Sequence, residues 1–322
     1  MTISMDPSHP LVVVVGATGT QGGSVIRNLI ASDRPYRLHG ITRNNTSAAS
    51  HSLVEIGVHM ISVNIVVGND TAVRDAFRGA DIIFGVTNFW EHMDPKREVE
   101  EGKLMVDAAK AAGVKLFIFS GLPNVTALSG GKYTQVSHFD SKAEIVEYAR
   151  SQLPIVDVQA GFYMTNLSNP LTSPKAQDDG TYIWEQMCDV NSKIPYIDME
   201  HDYGLFVRFA IESPKYYNGG GTIHSYGELL SPVDAATRLE RIYNIAVKVV
   251  GPPAPEVQRQ NLESAGLPPH VVLDIMDHGY WAEFGYYFGL ESSVEQQGIR
   301  TALARPPRSF ADFLKSNKVI LS

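Results

Sequence analysis

The chain has 322 residues, a net charge of −8, and apolar and charged fractions of 44% and 19%. Such a chain can bury a large core, as one big domain or two modest ones. The acidic balance disfavours direct nucleic-acid binding, the lone Cys188 leaves no internal disulfide, and no apolar run approaches the ~20 residues of a membrane span.

Residues 1–10, with Pro7 and Pro10, read as a frayed lead-in. Leu11-Val12-Val13-Val14-Val15 is a β-branched run that stops at Gly16. Gly19 and Gly22 follow at three-residue steps, and a helical pattern covers 20–31. That order is strand, tight turn, helix. Gly16 permits the turn, Gly19 lets backbone approach a ligand, and Gly22 lets the helix pack on the strand. The helix start offers free N–H groups and partial positive charge to a pyrophosphate. Gly16, Ala17, Thr18, Gly19, Thr20, Gln21 and Gly22 are therefore expected to hold a dinucleotide. The spacing is Gly-x-x-Gly-x-x-Gly, and no Gly-Lys-Ser/Thr ending supplies the lysine of a P-loop.

A second strand is predicted over 37–42, a helix over 48–56 and a third strand over 58–65. Asp70 is expected to cap a helix through Phe77, closed by Gly79. A fourth strand over 81–86, a helix over 97–112, a fifth strand over 115–120, a helix over 139–151 and a sixth strand over 155–160 complete the pattern. Strands alternating with helices predict an α/β fold: a Rossmann-type, doubly wound parallel sheet, with ligands outside the strand C-termini. Thr42-Arg43-Asn44, Asn64, Thr87-Asn88 and Ser120-Gly121 fall there. Residues 11–160 are read as the nucleotide-binding domain.

Beyond residue 161 prolines and glycines punctuate short elements, and 161–322 reads as a smaller α/β domain packed over the cleft. It carries a short strand over 181–184, helices over 203–211 and 233–247, a capped helix beginning near Ser309, and an aromatic tract over 279–289 that could be core or pocket wall.

An NAD site usually has an acid after the second strand for the ribose 2′-hydroxyl; an NADP site has an arginine for the 2′-phosphate. Here Thr42-Arg43-Asn44-Asn45-Thr46-Ser47 has the arginine and no acid, which predicts NADP(H). A reductase also needs a proton donor. Short-chain dehydrogenases use Tyr-x-x-x-Lys, and this chain has His138-Phe139-Asp140-Ser141-Lys142. Lys142 is the main candidate, as acid, base or ribose holder, and Lys142→Ala is expected to remove turnover. Tyr133, His138 and Ser120 are weaker helpers; His138 reads more as a neighbour of the helix start than as a proton shuttle. No metal site is expected, and His201-Asp202 lacks metal-ligand spacing.

Together, the segments beginning at Gly16, Val86, Ser120, His138, Gly161 and Asp198 resemble the NmrA-like family, a branch of atypical short-chain dehydrogenases, over residues 10–320. The His-Phe-Asp-x-Lys run is similar to that of its NADP(H)-sensing redox regulators. The resemblance implies a Rossmann domain, a small C-terminal domain and NADP(H) between them, with contacts from residues 16–21, Arg43 and its neighbours, Thr87, Asn88, Lys142 and Tyr163, Met164, Thr165 and Asn166. Where the family often has Gly-Asp near the adenine, this chain has Val63-Asn64. Two functions stay open: an NADP(H)-dependent oxidoreductase acting on a small carbonyl or enone compound, or a non-catalytic NADPH sensor that binds a regulatory protein partner. Neither reading needs nucleic acid or membrane, and both allow a homo-oligomer. The expected location is the cytoplasm, with the nucleus open to a regulator.

Overall fold

The computed structural model describes residues 3–283, 287–289, 298–317 and 319. The first strand, β1 (Leu11–Val15), is buried along its whole length. Leu11, Val13 and Val15 point to one face of the sheet, and Val12 and Val14 to the other. A strand covered on both faces needs no polar residue, which is why the run is continuously apolar. Helix α1 (Thr20–Ile30) follows, then β2 (Arg37–Thr42), α2 (Ala48–Glu55), β3 (His59–Ser62), α3 (Asp70–Phe77), β4 (Ile82–Gly85), the one-turn α4 (Phe89–His92), α5 (Pro95–Ala112), β5 (Leu116–Phe119), the one-turn α6 (Val125–Leu128), α7 (Ser137–Arg150) and β6 (Ile155–Ala160).

The second half contains β7 (Phe162–Tyr163), a 3-10 turn (Met164–Ser168), β8 (Lys175–Ala176), β9 (Tyr182–Glu185), β10 (Ile194–Ile197), α8 (Met199–Glu212), α9 (Pro214–Gly219), β11 (Gly221–Ser225), β12 (Glu228–Leu230), α10 (Pro232–Tyr243), β13 (Val247–Val250), α11 (Pro255–Ser264), α12 (Pro269–Glu283) and a helix at Phe310–Ser316. The main sheet has seven parallel strands in the order β11-β6-β5-β4-β1-β2-β3. Helices α1 and α8 cover one face, and α3, α5 and α7 the other. Two three-stranded sheets, β12-β10-β7 and β13-β9-β8, build the rest around Trp184, Tyr196, Leu239 and Phe310.

The chain does not leave the first sheet at residue 161. β11 returns to pair with β6, from Gly221 opposite Val156 to Ser225 opposite Ala160. α8 packs on α1 so closely that a Cβ on Gly204 would lie 2.1 Å from the Ser24 carbonyl oxygen. Without these returns, β6 would present an open edge and one apolar face of the sheet would be exposed. Several boundaries also move. β3 is half its expected length. Asn69, not Asp70, stands at the N-cap of α3, with no side-chain cap bond, while Gly79 closes the helix as expected, following the C-cap Arg78 with φ +75°. α8 starts at Met199 because the Asp198 side chain accepts from the His201 N–H. The helix expected over 233–247 stops at Tyr243, where Asn244 takes a left-handed conformation (φ 53°), and Val247–Val250 pairs with β9. The lead-in is tied down from Ile3 onward: Ile3 bridges to Tyr36, and the Ser4 N–H donates to the Tyr36 carbonyl at 2.8 Å. Among the described residues no helix is long and apolar enough to cross a membrane.

Candidate functional site

A cleft of about 990 Å³ opens at the C-terminal ends of β1, β2, β4, β5 and β6. The glycine turn forms its floor. Gly16 has φ +65°, a conformation that disfavours any side chain, and its carbonyl accepts from the Gly19 N–H at 2.8 Å. A Cβ on Gly22 would stand 2.2 Å from that same carbonyl oxygen, so α1 can approach the turn only with glycine there. Gly19 is the N-cap of α1 and offers no side-chain cap to the first-turn N–H groups. Those donors suit an anionic group such as a pyrophosphate.

The structure brings most of the expected residues to this cleft. Gly16, Thr18, Gly19, Thr20, Gln21, Gly22, Thr42, Arg43, Asn44, Asn64, Thr87, Asn88, Ser120, His138, Lys142, Tyr163 and Asn166 line it. Gln21 Nε2 donates to the Tyr163 hydroxyl at 2.7 Å, tying the glycine turn to β7 across the cleft. Four expected residues do not line it. Ala17 is fully buried, turned into the core beneath the turn. Met164 is buried in the core of the second half, and Thr165 is exposed away from the cleft. Tyr133 packs with Leu122, Val136, Phe139 and Tyr287, because the segment before α7 folds it inward.

Lys142 sits one turn into α7, with a side-chain exposure of 12%. Its ammonium donates to Glu98 Oε1 at 2.5 Å, Thr87 Oγ1 at 2.8 Å and the Thr87 carbonyl at 3.2 Å. All three N–H bonds are thus committed. Glu98 is fully buried and also accepts from the hydroxyls of Thr87, at 2.7 Å, and Ser141. Burial pushes the Glu98 carboxyl up, but Lys142, Ser141 and Thr87 outweigh it and hold the group below its ordinary value.

His138 is one turn earlier on α7 and its ring lines the cleft. Asp274 of α12 grips it twice: one carboxylate oxygen accepts from the His138 backbone N–H at 3.0 Å, and the other pairs with Nδ1. That leaves Nε2 as the ring's remaining nitrogen. Trp90, Phe139 and His278 surround the imidazole with ring centroids 5.0, 4.8 and 5.2 Å away. Burial pushes His278 down to about 3, so that ring is neutral. Arg43 pairs with Glu91 of α4. Asn44 turns its side-chain oxygen back to the Thr46 N–H at 2.9 Å.

Glu98, Asp274 and Glu91 were not singled out from the sequence. Glu98 lies in a charged run, Lys96-Arg97-Glu98, that reads as a solvated helix face. Asp274 is distant in sequence from the histidine it holds. Of the aromatic tract, Trp281, Tyr287 and Phe288 are buried and Tyr287 also lines the cleft; Phe284, Gly285 and Tyr286 lie outside the described residues. No metal-binding cluster occurs among the described residues.

The NmrA-like family profile matches residues 8–314. An NmrA-like family domain-containing oxidoreductase of Penicillium ochrochloron is 28% identical over 233 residues, 66% of this chain and 68% of its own. The nitrogen metabolite repression protein nmr of Neurospora crassa is 30% identical over 207 residues, 61% of this chain and 41% of its own. Among solved structures, NmrA, a negative transcriptional regulator, in complex with NADP superposes with a TM-score of 0.77 at 23% identity, over 95% of this chain and 94% of that one. With the family profile covering nearly its whole length, the chain belongs to the NmrA-like family.

Proposed function

We propose that this protein is an NADP(H)-dependent oxidoreductase that reduces a small carbonyl or enone compound, with His138 as proton donor. The observation that carries the reading is the His138–Asp274 pair on the cleft wall, in the place of the tyrosine of Tyr-x-x-x-Lys. The uncapped start of α1 and the glycine turn suit the pyrophosphate, and Arg43 with Thr42 suits the 2′-phosphate. The relative named as an oxidoreductase agrees with the reading, and the regulator solved with NADP agrees with its nucleotide.

The bound dinucleotide supplies hydride to the substrate. His138 Nε2 gives a proton to the oxygen that becomes the alcohol or enol, and the ring regains it from water. The donor form is the imidazolium: Nδ1–H donates to Asp274, which fixes the ring plane, and the Nε2 proton goes to the substrate oxygen. Lys142 is a fixed cation on the cleft floor, neutralised by Glu98, and positions Thr87 rather than moving a proton. Phe89, Leu122 and Tyr287, all buried, give the cleft an apolar wall beside His138.

The test follows NADPH oxidation by the purified protein against a panel of carbonyl and enone compounds. Turnover that His138→Gln slows by about 10²-fold or more, with nucleotide affinity intact, supports the proposal; no turnover with any compound overturns it. One observation favours a second reading, a nucleotide-sensing regulator: the Gln21–Tyr163 bond joins both halves across the cleft, so both would respond to an occupant. Nucleotide-dependent capture of a protein partner without turnover would establish that alternative.

A further inference from the structure

Among the described residues, three Lys and Arg side chains line the cleft, and each is matched to a glutamate: Lys142 to Glu98, Arg97 to Glu101, and Arg43 to Glu91. Glu98 and Glu101 are anchored on the long helix α5, with side-chain exposures of 0% and 11%. Glu91 is in a different position. It is 42% exposed, rides on the four-residue α4, and its second oxygen receives a long 3.4 Å contact from Asn88 Nδ2. Its partner Arg43 is 63% exposed. Exposed ion pairs are weak, because water screens the charges and competes for both. An anion entering the cleft therefore finds Arg43 to be the cation whose partner it can displace.

The location of the pair gives this a meaning. Arg43 follows β2 and Glu91 follows β4, and β1 lies between those strands in the sheet. The pair thus reaches across the end of β1, beside the glycine turn. An NAD site uses a carboxylate from the end of the second strand to accept from the ribose 2′-hydroxyl. The loop after β2 has no acid here. Glu91 brings a carboxylate to the same guanidinium from another strand.

We infer that Glu91 sets the choice between NADP and NAD. Its carboxylate competes with a 2′-phosphate for Arg43 and repels it, whereas a 2′-hydroxyl can donate to it. The site accepts both nucleotides, and Glu91 restrains the preference for NADP that Arg43 creates. This rests on the dinucleotide reading above. Dissociation constants for NADP and NAD, measured by calorimetry on the wild type, Glu91→Gln and Arg43→Gln, test it without any turnover. Glu91→Gln is expected to raise the NADP-over-NAD preference about three- to tenfold, the size of one screened charge interaction near a surface. Arg43→Gln is expected to lower it. If nucleotides bind but Glu91→Gln leaves the ratio unchanged, or lowers it, the inference fails. If the wild type binds neither nucleotide, the dinucleotide reading itself fails.

Discussion

Two basic side chains, one turn apart on α7, end in opposite situations. Lys142 is held by Glu98 and Thr87, all from the nucleotide-binding half, with each of its protons committed. His138 is held by Asp274 from α12, in the other half, and keeps one ring nitrogen out of that grip. Both belong to one short motif, His-x-x-x-Lys. Their partners differ: a buried carboxylate takes the lysine, and an aspartate from α12 takes the histidine, the arrangement on which the proposed proton transfer rests. Two buried acids, Glu98 and Asp157, show the same dependence on partners. Glu98 has a cation and is held low, while Asp157 on β6, whose side chain receives Gln159 Nε2 at 2.8 Å, is pushed up to about 7 by burial. Burial is common to both; the partner decides the charge.

The largest expected effect tests the division of labour on α7 directly. Asp274→Asn, which acts through His138, and His138→Gln should each slow NADPH oxidation by about 10²–10⁴-fold, the usual worth of a positioned acid. Nucleotide affinity should hold in both, and Asp274→Asn should also move the pH profile of turnover. Equal losses of affinity and rate would instead make the pair a nucleotide-binding element. Next, Glu98→Ala strands the Lys142 charge in a nearly dry site and should cost about 3–5 kcal/mol in urea unfolding. Because the folded Glu98 group is held below its ordinary value, the pair's stabilisation is present above the ordinary glutamate range and is lost as pH falls through the lowered value. Acid unfolding of Glu98→Gln should accordingly be less steep than that of the wild type.

Asp157 carries the opposite sign. Its folded carboxyl is raised from 3.8 to about 7, so wild-type stability should decline as pH rises between those values. Asp157→Asn should remove that decline and gain about 2–4 kcal/mol at pH 8. A variant as pH-sensitive as the wild type would show that the partner rule does not extend to β6. The smallest effect belongs to Tyr133→Phe. Tyr133 lies in the core beside α7, outside the cleft, so NADPH oxidation should be unchanged; a clear loss would return the proton-donor role to a tyrosine.

Local pattern was enough to read six of the seven strands of the main sheet. The run at Leu11–Val15, the three glycines and the alternation of strand and helix each depend on near neighbours, and all reappear in place. Arg43 and Lys142 were legible for the same reason: each follows a recognisable strand or motif by a short step. The second half was less legible. Its strands are short, its helix limits depend on single residues such as Asn244 and Asp198, and β11 is missing from the sequence reading because only its pairing with β6 makes it a strand.

What the sequence by itself determined was the parallel sheet, the glycine turn and the residue types that face the cleft, since strand and helix periods and turn chemistry are local. Tertiary structure alone decided what those residues are paired with. Glu98 was one acid in a charged helix face, Asp274 one acid on a distant helix, and Glu91 an exposed carboxylate on a single turn. Folding set each beside Lys142, His138 or Arg43. Charge state and chemical role follow from the partner and its burial, and neither is written in the neighbouring residues.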